Sequence, residues 1–424
     1  MPKQDSPSVA EQLCHFIDGS PTPFHATQSL ASLFTAAGYV ELDEGTRWSL
    51  EPQGKYYIRR NNSSFIAFNN PSNASAGINM VGAHTDSPCL RIKPIPDIKV
   101  HGYWQLGVEV YGGVLLHTWF DRDLSIAGRV SGTLKSGEAF DELIDFKSPI
   151  ARVPSLAIHL DRTANEASTV NAQKHLPVVI GQIDDEASFK ALLVEQCSGD
   201  VDSVLDYELS CYDTQSSGIT GLNDEFISAA RLDNLLSTFI GAKALLDSDQ
   251  KQCRLFVATD HEEIGSASSS GAQGPFLKSV LERLTSDAQD LTQMISRSRM
   301  ISCDNAHALH PNYADKHDQN HGPKINNGPV IKINNNQRYA TNSVSSARFQ
   351  RLCKKADVPF QQFVVRSDMG CGSTIGPIIS AELGIETIDI GAPQWAMHSI
   401  RETAGAKDCE YLHRVLVEFF NSTD

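Results

Sequence analysis

No apolar run in the 424-residue chain approaches the roughly 18–20 residues that a helical membrane span needs, which argues against a helical membrane protein. There is no CxxC pair, and the nine cysteines are odd in number and irregularly spaced. That pattern excludes a regular disulfide framework and suits free, buried thiols in a reducing compartment. Positive charge is scarce: 36 Lys and Arg stand against 51 Asp and Glu, for a net charge of −15. A surface of that sign repels nucleic acid and anionic membranes, so neither is expected as a partner. The opening "MPKQDSPSVAEQLCHFIDGS" has no basic segment followed by an apolar one, so no signal peptide is read and a cytoplasmic location is expected. Internal repeats and low-complexity tracts are missing too.

What is present is an alternation of two textures. The length suits one large domain or two ordinary ones. Residues 8–38 read as helical, with Gly38 as a stop, and "INMVGA" (78–83) as a short buried strand. From about 92, β-branched and aromatic residues punctuated by glycine predict consecutive strands. After about 221 helix and strand alternate again. "RLDNLLSTFIGAKALLDS" is an amphipathic helix, with Leu232, Leu235, Leu236, Phe239 and Ile240 on one face, and "CRLFVAT" (253–259) is a strand. Helices follow at 274–284, 345–358 and 407–420, and strands at 299–305, 330–333 and 385–391; the polar stretch 312–328 reads as a long ordered loop. The alternation predicts an α/β fold, a sheet covered by helices, with a β-rich insertion. The catalytic part would span 1–91 and 221–424, and the insertion 92–220.

Several of these strands end in a side chain able to bind metal. "INMVGAHTD" ends in His84, "LFVATDHEE" in Glu262 and Glu263, and "MISCDN" in Asp304. "TIDIGAPQWAMHS" runs on towards His398, and Asp233 opens the "RLDN" helix. In open α/β sheets the ligand crevice lies beyond the carboxyl ends of the strands, so residues far apart in sequence converge there. Taken singly, each has an ordinary structural explanation: a hydrogen-bonded histidine, a helix-terminal Asp233, an Asx-turn at Asp304. Their recurrence at one topological position favours a site. Carboxylates and imidazoles together suit a pair of divalent ions. Three carboxylates and one hydroxide neutralise a charge of +4, and two imidazoles complete the shells without adding charge. Adjacent carboxylates that repel each other also find a use: Glu263 is read as a ligand and Glu262 as the general base. The zinc-protease motif HExxH is excluded, because "HEEIG" has Gly265 where the second histidine belongs.

The blocks "GAHTDSPCLRIKP", "RLDN", "DHEEIGS", "CDNAHALHPNY", "GPVIKINNNQRYAT", "SDMGCGSTIGP" and "DIGAPQWAMHSIRE", in order along nearly the whole chain, closely resemble the M18 metallo-aminopeptidases, the aspartyl aminopeptidase family. The resemblance implies a zinc-peptidase-like catalytic domain interrupted by a β-rich dimerisation domain. It also implies two divalent ions per subunit (zinc, with manganese or cobalt as alternatives). His84 and Asp304 would hold one ion and Glu263 and His398 the other, with Asp233 bridging. Glu262 would serve as base and then as acid to the leaving amine, and Asp86 would orient His84. Lys332 would receive an acidic substrate side chain, and His159 would reach a neighbouring subunit's site. The implied activity is release of N-terminal Asp or Glu from peptides by a homo-oligomer, a tetrahedral dodecamer built from dimers. No metal position departs from the family pattern; Gly370 stands where some relatives carry Pro. A deacylase or carboxypeptidase with the same metal pair, and a non-enzymatic self-assembling scaffold, are the alternatives; the retained base counts against the scaffold.

Overall fold

Both faces of the central strands are apolar, and that decides where they go. In Asn79–His84, Val81 and Ala83 point to one side and Met80 to the other; in Arg254–Thr259, Phe256 and Ala258 oppose Leu255 and Val257. A strand that is apolar on both faces must be covered on both. The computed structural model describes residues 7–70, 76–167, 169–182, 187–249 and 253–423. These two strands lie side by side in a nine-stranded mixed sheet. Its order is Val40–Glu41, Lys55–Arg60, Ser64–Asn69, Arg254–Thr259, Asn79–His84, Arg299–Cys303, Glu386–Gly391, Val330–Lys332, Gln361–Phe363. The run from Arg254–Thr259 to Glu386–Gly391 is parallel, so the carboxyl ends of these strands share one edge.

Helices Val9–Asp18, Pro23–Ala36, Leu232–Asp247, Ser343–Lys355 and Ala406–Asn421 pack on one face of the sheet, through residues such as Ile17, Phe34, Leu236, Phe349 and Leu416. Phe276–Arg283, Ala288–Arg297 and Ile375–Leu383 cover the other through Phe276, Met294 and Ile379. The α/β reading therefore holds. A smaller sheet in the same unit runs Gly218–Thr220, Phe226–Ala229, Glu402–Gly405, Pro393–Trp395, Ala306–His307.

The segment 8–38 is helical as read, in two helices. Ser8 and Glu11 form a capping box for the first, while Thr22 caps the second with Pro23 in its first turn, so the chain breaks between them at Gly19. The helix Leu232–Asp247 is not merely one-sided: Ser237, Thr238 and Gly241 are buried as well, since Gly241 lets it approach Phe256 closely. Its polar residues are satisfied inside, Thr238 donating to the His84 carbonyl at 2.7 Å and Ser237 to Asn305 Oδ1 at 3.2 Å. The loop 312–328 is tied down: the Asp408 carboxylate accepts from the N–H groups of Asn326 (2.6 Å) and Gly328 (2.8 Å).

The chain divides into two compact units, one comprising Met1–Asp86, Ser217–Met397 and Glu402–Asp424, the other Ser87–Ser216 and His398–Arg401. The second unit is an antiparallel sheet ordered Ala139–Asp145, Leu124–Leu134, Val201–Asp213, Cys89–Val100, Tyr103–Tyr111, Val178–Gly181. Helix Phe189–Gln196, which the glycine-punctuated texture did not reveal, packs into its core beside Trp104, Leu106 and Tyr207. Among the described residues no cysteine forms a disulfide, and no helix is long and apolar enough to cross a membrane.

Candidate metal centre

His84 is the last residue of strand Asn79–His84, and its ring is almost wholly buried, at 1% exposure. Nδ1 lies 3.1 Å from the Asp86 carbonyl oxygen and 3.3 Å from its carboxylate Oδ1, which fixes the ring. Nε2 then faces Asp233 Oδ1 at 3.5 Å, Glu262 Oε2 at 3.8 Å and Asp304 Oδ1 at 3.9 Å. The ligand atoms of His84, Asp233 and Asp304 all lie within 4.8 Å of one another, and so do those of His84, Glu262 and Glu263.

Each partner arrives by its own route. Asp233 is not a regular helical residue. Its dihedrals (φ −83°, ψ 105°) and those of Asn234 are non-helical, with Arg231 left-handed ahead of them at φ 55°. Glu402, buried on the small sheet, accepts the Asp233 N–H at 2.9 Å, and Asn234 Nδ2 donates to the Cys303 carbonyl at 2.9 Å. Asp304 follows strand Arg299–Cys303 directly, and a side chain at Gly391 would collide with its carbonyl. Glu262 and Glu263 form a single 3₁₀ turn entered through His261 at φ 66°. The Asp86 carboxylate accepts both their N–H groups, at 3.1 Å each, so this fully buried residue aims the histidine and the glutamate pair together. The contribution of Glu402 was not legible beforehand; only its place in the "HSIRE" block hinted at it.

Lys332 is also inside, 2% exposed, and its ammonium lies 3.5 Å from Asp304 Oδ2 and donates to the Asn305 carbonyl at 3.2 Å. His398 belongs to the second unit, half-buried, with Nδ1 3.0 Å from the Gly113 carbonyl oxygen. His159 is an exposed residue in a turn of the same unit.

Burial of so many carboxylates at one point is unfavourable unless a cation joins them. Burial pushes Glu262 up to about 8, with the Asp304, Asp86 and Asp233 charges adding to it and His84 opposing. Burial likewise lifts Asp304 to about 6 against the pull of Lys332, and holds Glu263 well above its ordinary value. Burial alone would depress His84, yet Asp233 and Asp86 turn the balance and raise it well above normal. The donor set therefore fits divalent ions: oxygen and imidazole ligands, surplus negative charge, and a ring already oriented through its other nitrogen.

An acid raised in the folded state keeps its proton where the unfolded chain has lost it, so its contribution to stability disappears as pH rises. For Glu262 the window runs from about 4.5 to about 8, and for Asp304 from 3.8 to about 6. Chelator-treated protein should have a lower urea midpoint at pH 8 than at pH 5, while metal affinity climbs over the same range. Glu262→Gln should shrink the difference in midpoint; an unchanged difference would remove Glu262 as its source.

The M18 family, described as aminopeptidase I zinc metalloprotease, matches residues 16–420. The chain is 56% identical over 418 residues to a protein of Pseudomonas syringae pv. syringae named "Probable M18 family aminopeptidase 2", covering 97% of each. Its fold is similar to a chain in the cryo-EM structure of the Ape4 and Nbr1 complex (TM-score 0.92, 38% identity, 97% of this chain and 85% of that one). It is also similar to the S. cerevisiae mApe1 dodecamer (TM-score 0.86, 28% identity, 98% and 97% covered).

Proposed function

We propose, from the premise that the chain belongs to the M18 family of zinc metallo-aminopeptidases, that it uses two divalent ions to release acidic residues from peptide N-termini. The observation that carries this reading is the setting of the Glu pair. Asp86 holds both backbone N–H groups, and Glu262 Oε2 stands 3.8 Å from the imidazole nitrogen that also faces Asp233 and Asp304.

His84 and Asp304 hold one ion in this reading, Glu263 and His398 the other, and Asp233 both. Zinc suits these donors best, with manganese or cobalt as substitutes. When bound, the ions polarise the scissile carbonyl and acidify the attacking water. Glu262 takes the proton from that water and returns it to the leaving amine. Asp86 keeps His84 in the tautomer that presents Nε2.

A preference for Asp and Glu is supported by a cavity of about 290 Å³ lined in part by His307, His310, Lys316, His317 and Arg366, with no carboxylate among its lining residues. Arg366 is paired with Asp368 at 2.6 Å and Lys316 lies 3.7 Å from Asp315, so the attraction of this wall for an anion is modest and comes in part from its histidines. Lys332, 5.1 Å from the centroid of the Tyr339 ring on this wall, is the residue that receives the acidic side chain in this reading. The similarity to a dodecamer supports a homo-oligomer built through the β-rich insertion at 92–220, His159 reaching a neighbouring site. The protein works in the cytoplasm.

A panel of aminoacyl reporters tests the reading, run with Zn, Mn and Co. Asp and Glu substrates should be cleaved at least about tenfold faster than Leu, which corresponds to 1.4 kcal/mol, and all activity should vanish with chelator. His159→Ala should be slower with its metal retained. Equal rates on Leu would overturn the acidic preference, and cleavage of N-acetylated substrates alone would favour a deacylase.

A further inference from the structure

We infer that Lys332 is a positioning residue of the metal centre, one that divides Asp304 between two partners and keeps the adjoining ion exchangeable. The inference rests on the dinuclear reading above. Asp304 presents Oδ1 to His84 Nε2 at 3.9 Å and Oδ2 to the Lys332 ammonium at 3.5 Å. One oxygen is therefore committed to the lysine, which leaves the other for an ion. The carboxylate would offer the ion its other oxygen, with its charge partly offset by the ammonium.

The lysine itself is fixed. It sits on the central sheet in strand Val330–Lys332, donates to the Asn305 carbonyl at 3.2 Å and lies beside the Tyr339 ring. A second buried carboxylate, Asp389, feels its charge and accepts from the Ala340 N–H and the Thr374 hydroxyl, both at 2.6 Å. Lys332, Asp304 and Asp389 are all buried, the lysine at 2% exposure. An ammonium on the same carboxylate as a dication is a like charge at close range in a poorly screened interior, and like charges there repel strongly. Lys332 therefore weakens the ion held by His84 and Asp304. It leaves the ion held by Glu263 and His398 less affected, so the two sites differ in affinity.

Competition between protein and a colorimetric chelator for Zn²⁺ reads this directly, without any assay of activity. Wild-type protein should bind two ions with distinct affinities. Lys332→Met should tighten the weaker one by at least about tenfold and leave the other within about threefold. Lys332→Met combined with Asp389→Asn removes the ammonium together with a second buried charge near it. It should still tighten the weaker site, by less than the single variant because a nearby negative charge is lost as well, and it serves if the single variant fails to fold. A weaker site left unchanged in both variants would overturn the inference and leave Lys332 with its substrate role alone. Weakened binding in both variants would overturn it as well. Absence of zinc from the wild type would instead strike down the dinuclear reading itself.

Discussion

Glu262→Gln should abolish turnover, lowering kcat by at least roughly 10²–10⁴-fold, the usual worth of a positioned acid–base group, with both ions still bound. The amide matches the carboxylate in shape and can neither take a proton from water nor return one to the leaving amine. The position is suited to that task. The side chain is 15% exposed, whereas Asp86 on the inner side of the turn is fully buried, so substrate can reach the glutamate. Its backbone is anchored through Asp86 and not through its own carboxylate, so the substitution leaves the turn intact. The loss should exceed that of a simple base, because one group serves two proton transfers. Metal analysis and single-turnover rates on an Asp reporter check the outcome. Near-normal turnover, or loss of metal along with activity, would remove Glu262 from the role of base.

Asp233→Asn should strip both ions, and activity with them, because this carboxylate is the one proposed to serve both. In metal-free protein the change should go the other way. Asp233 is 4% exposed, 3.5 Å from His84 Nε2, and its charge contributes to raising both Glu262 and Glu263. Replacing it by a neutral amide relieves repulsion among buried carboxylates, so the chelated variant should melt higher than the chelated parent. The parent should gain midpoint on adding zinc, since a ligand that binds only the folded state stabilises it by mass action; the variant should gain little. The amide keeps the backbone N–H bond to Glu402, so the local turn survives. Differential scanning calorimetry with and without zinc decides it. A variant that retains two ions would show that Asp233 is not shared.

Much of this was open to inspection in the chain. The apolar faces of "INMVGA" and "LFVAT" required a covered sheet, and ligand-type residues after such strands required a common edge, because parallel strands end together. His84, Glu262, Glu263 and Asp304 could be picked out on that ground alone. The non-helical entry at Asp233 could not, since "RLDNLLSTF" has the period of a helix and local pattern carries no record of what a turn must reach. Glu402 was equally hidden. A buried carboxylate on a short strand has no periodic signature, and it matters only because Asp233, 169 residues earlier, offers it an N–H. Lys332 gives the clearest division. Its place in "VIKIN" told of a strand, and a strand lysine is ordinarily solvated, yet the sheet buries it against Asp304. Sequence by itself determined which chemical groups were available and, outside segments such as Phe189–Gln196, most of the strands and helices, because those follow from side-chain type and short-range period. Which carboxylate meets which imidazole, and which cation is placed beside them, was decided by tertiary structure alone, because long-range pairing depends on how the sheet is ordered rather than on neighbours in the chain.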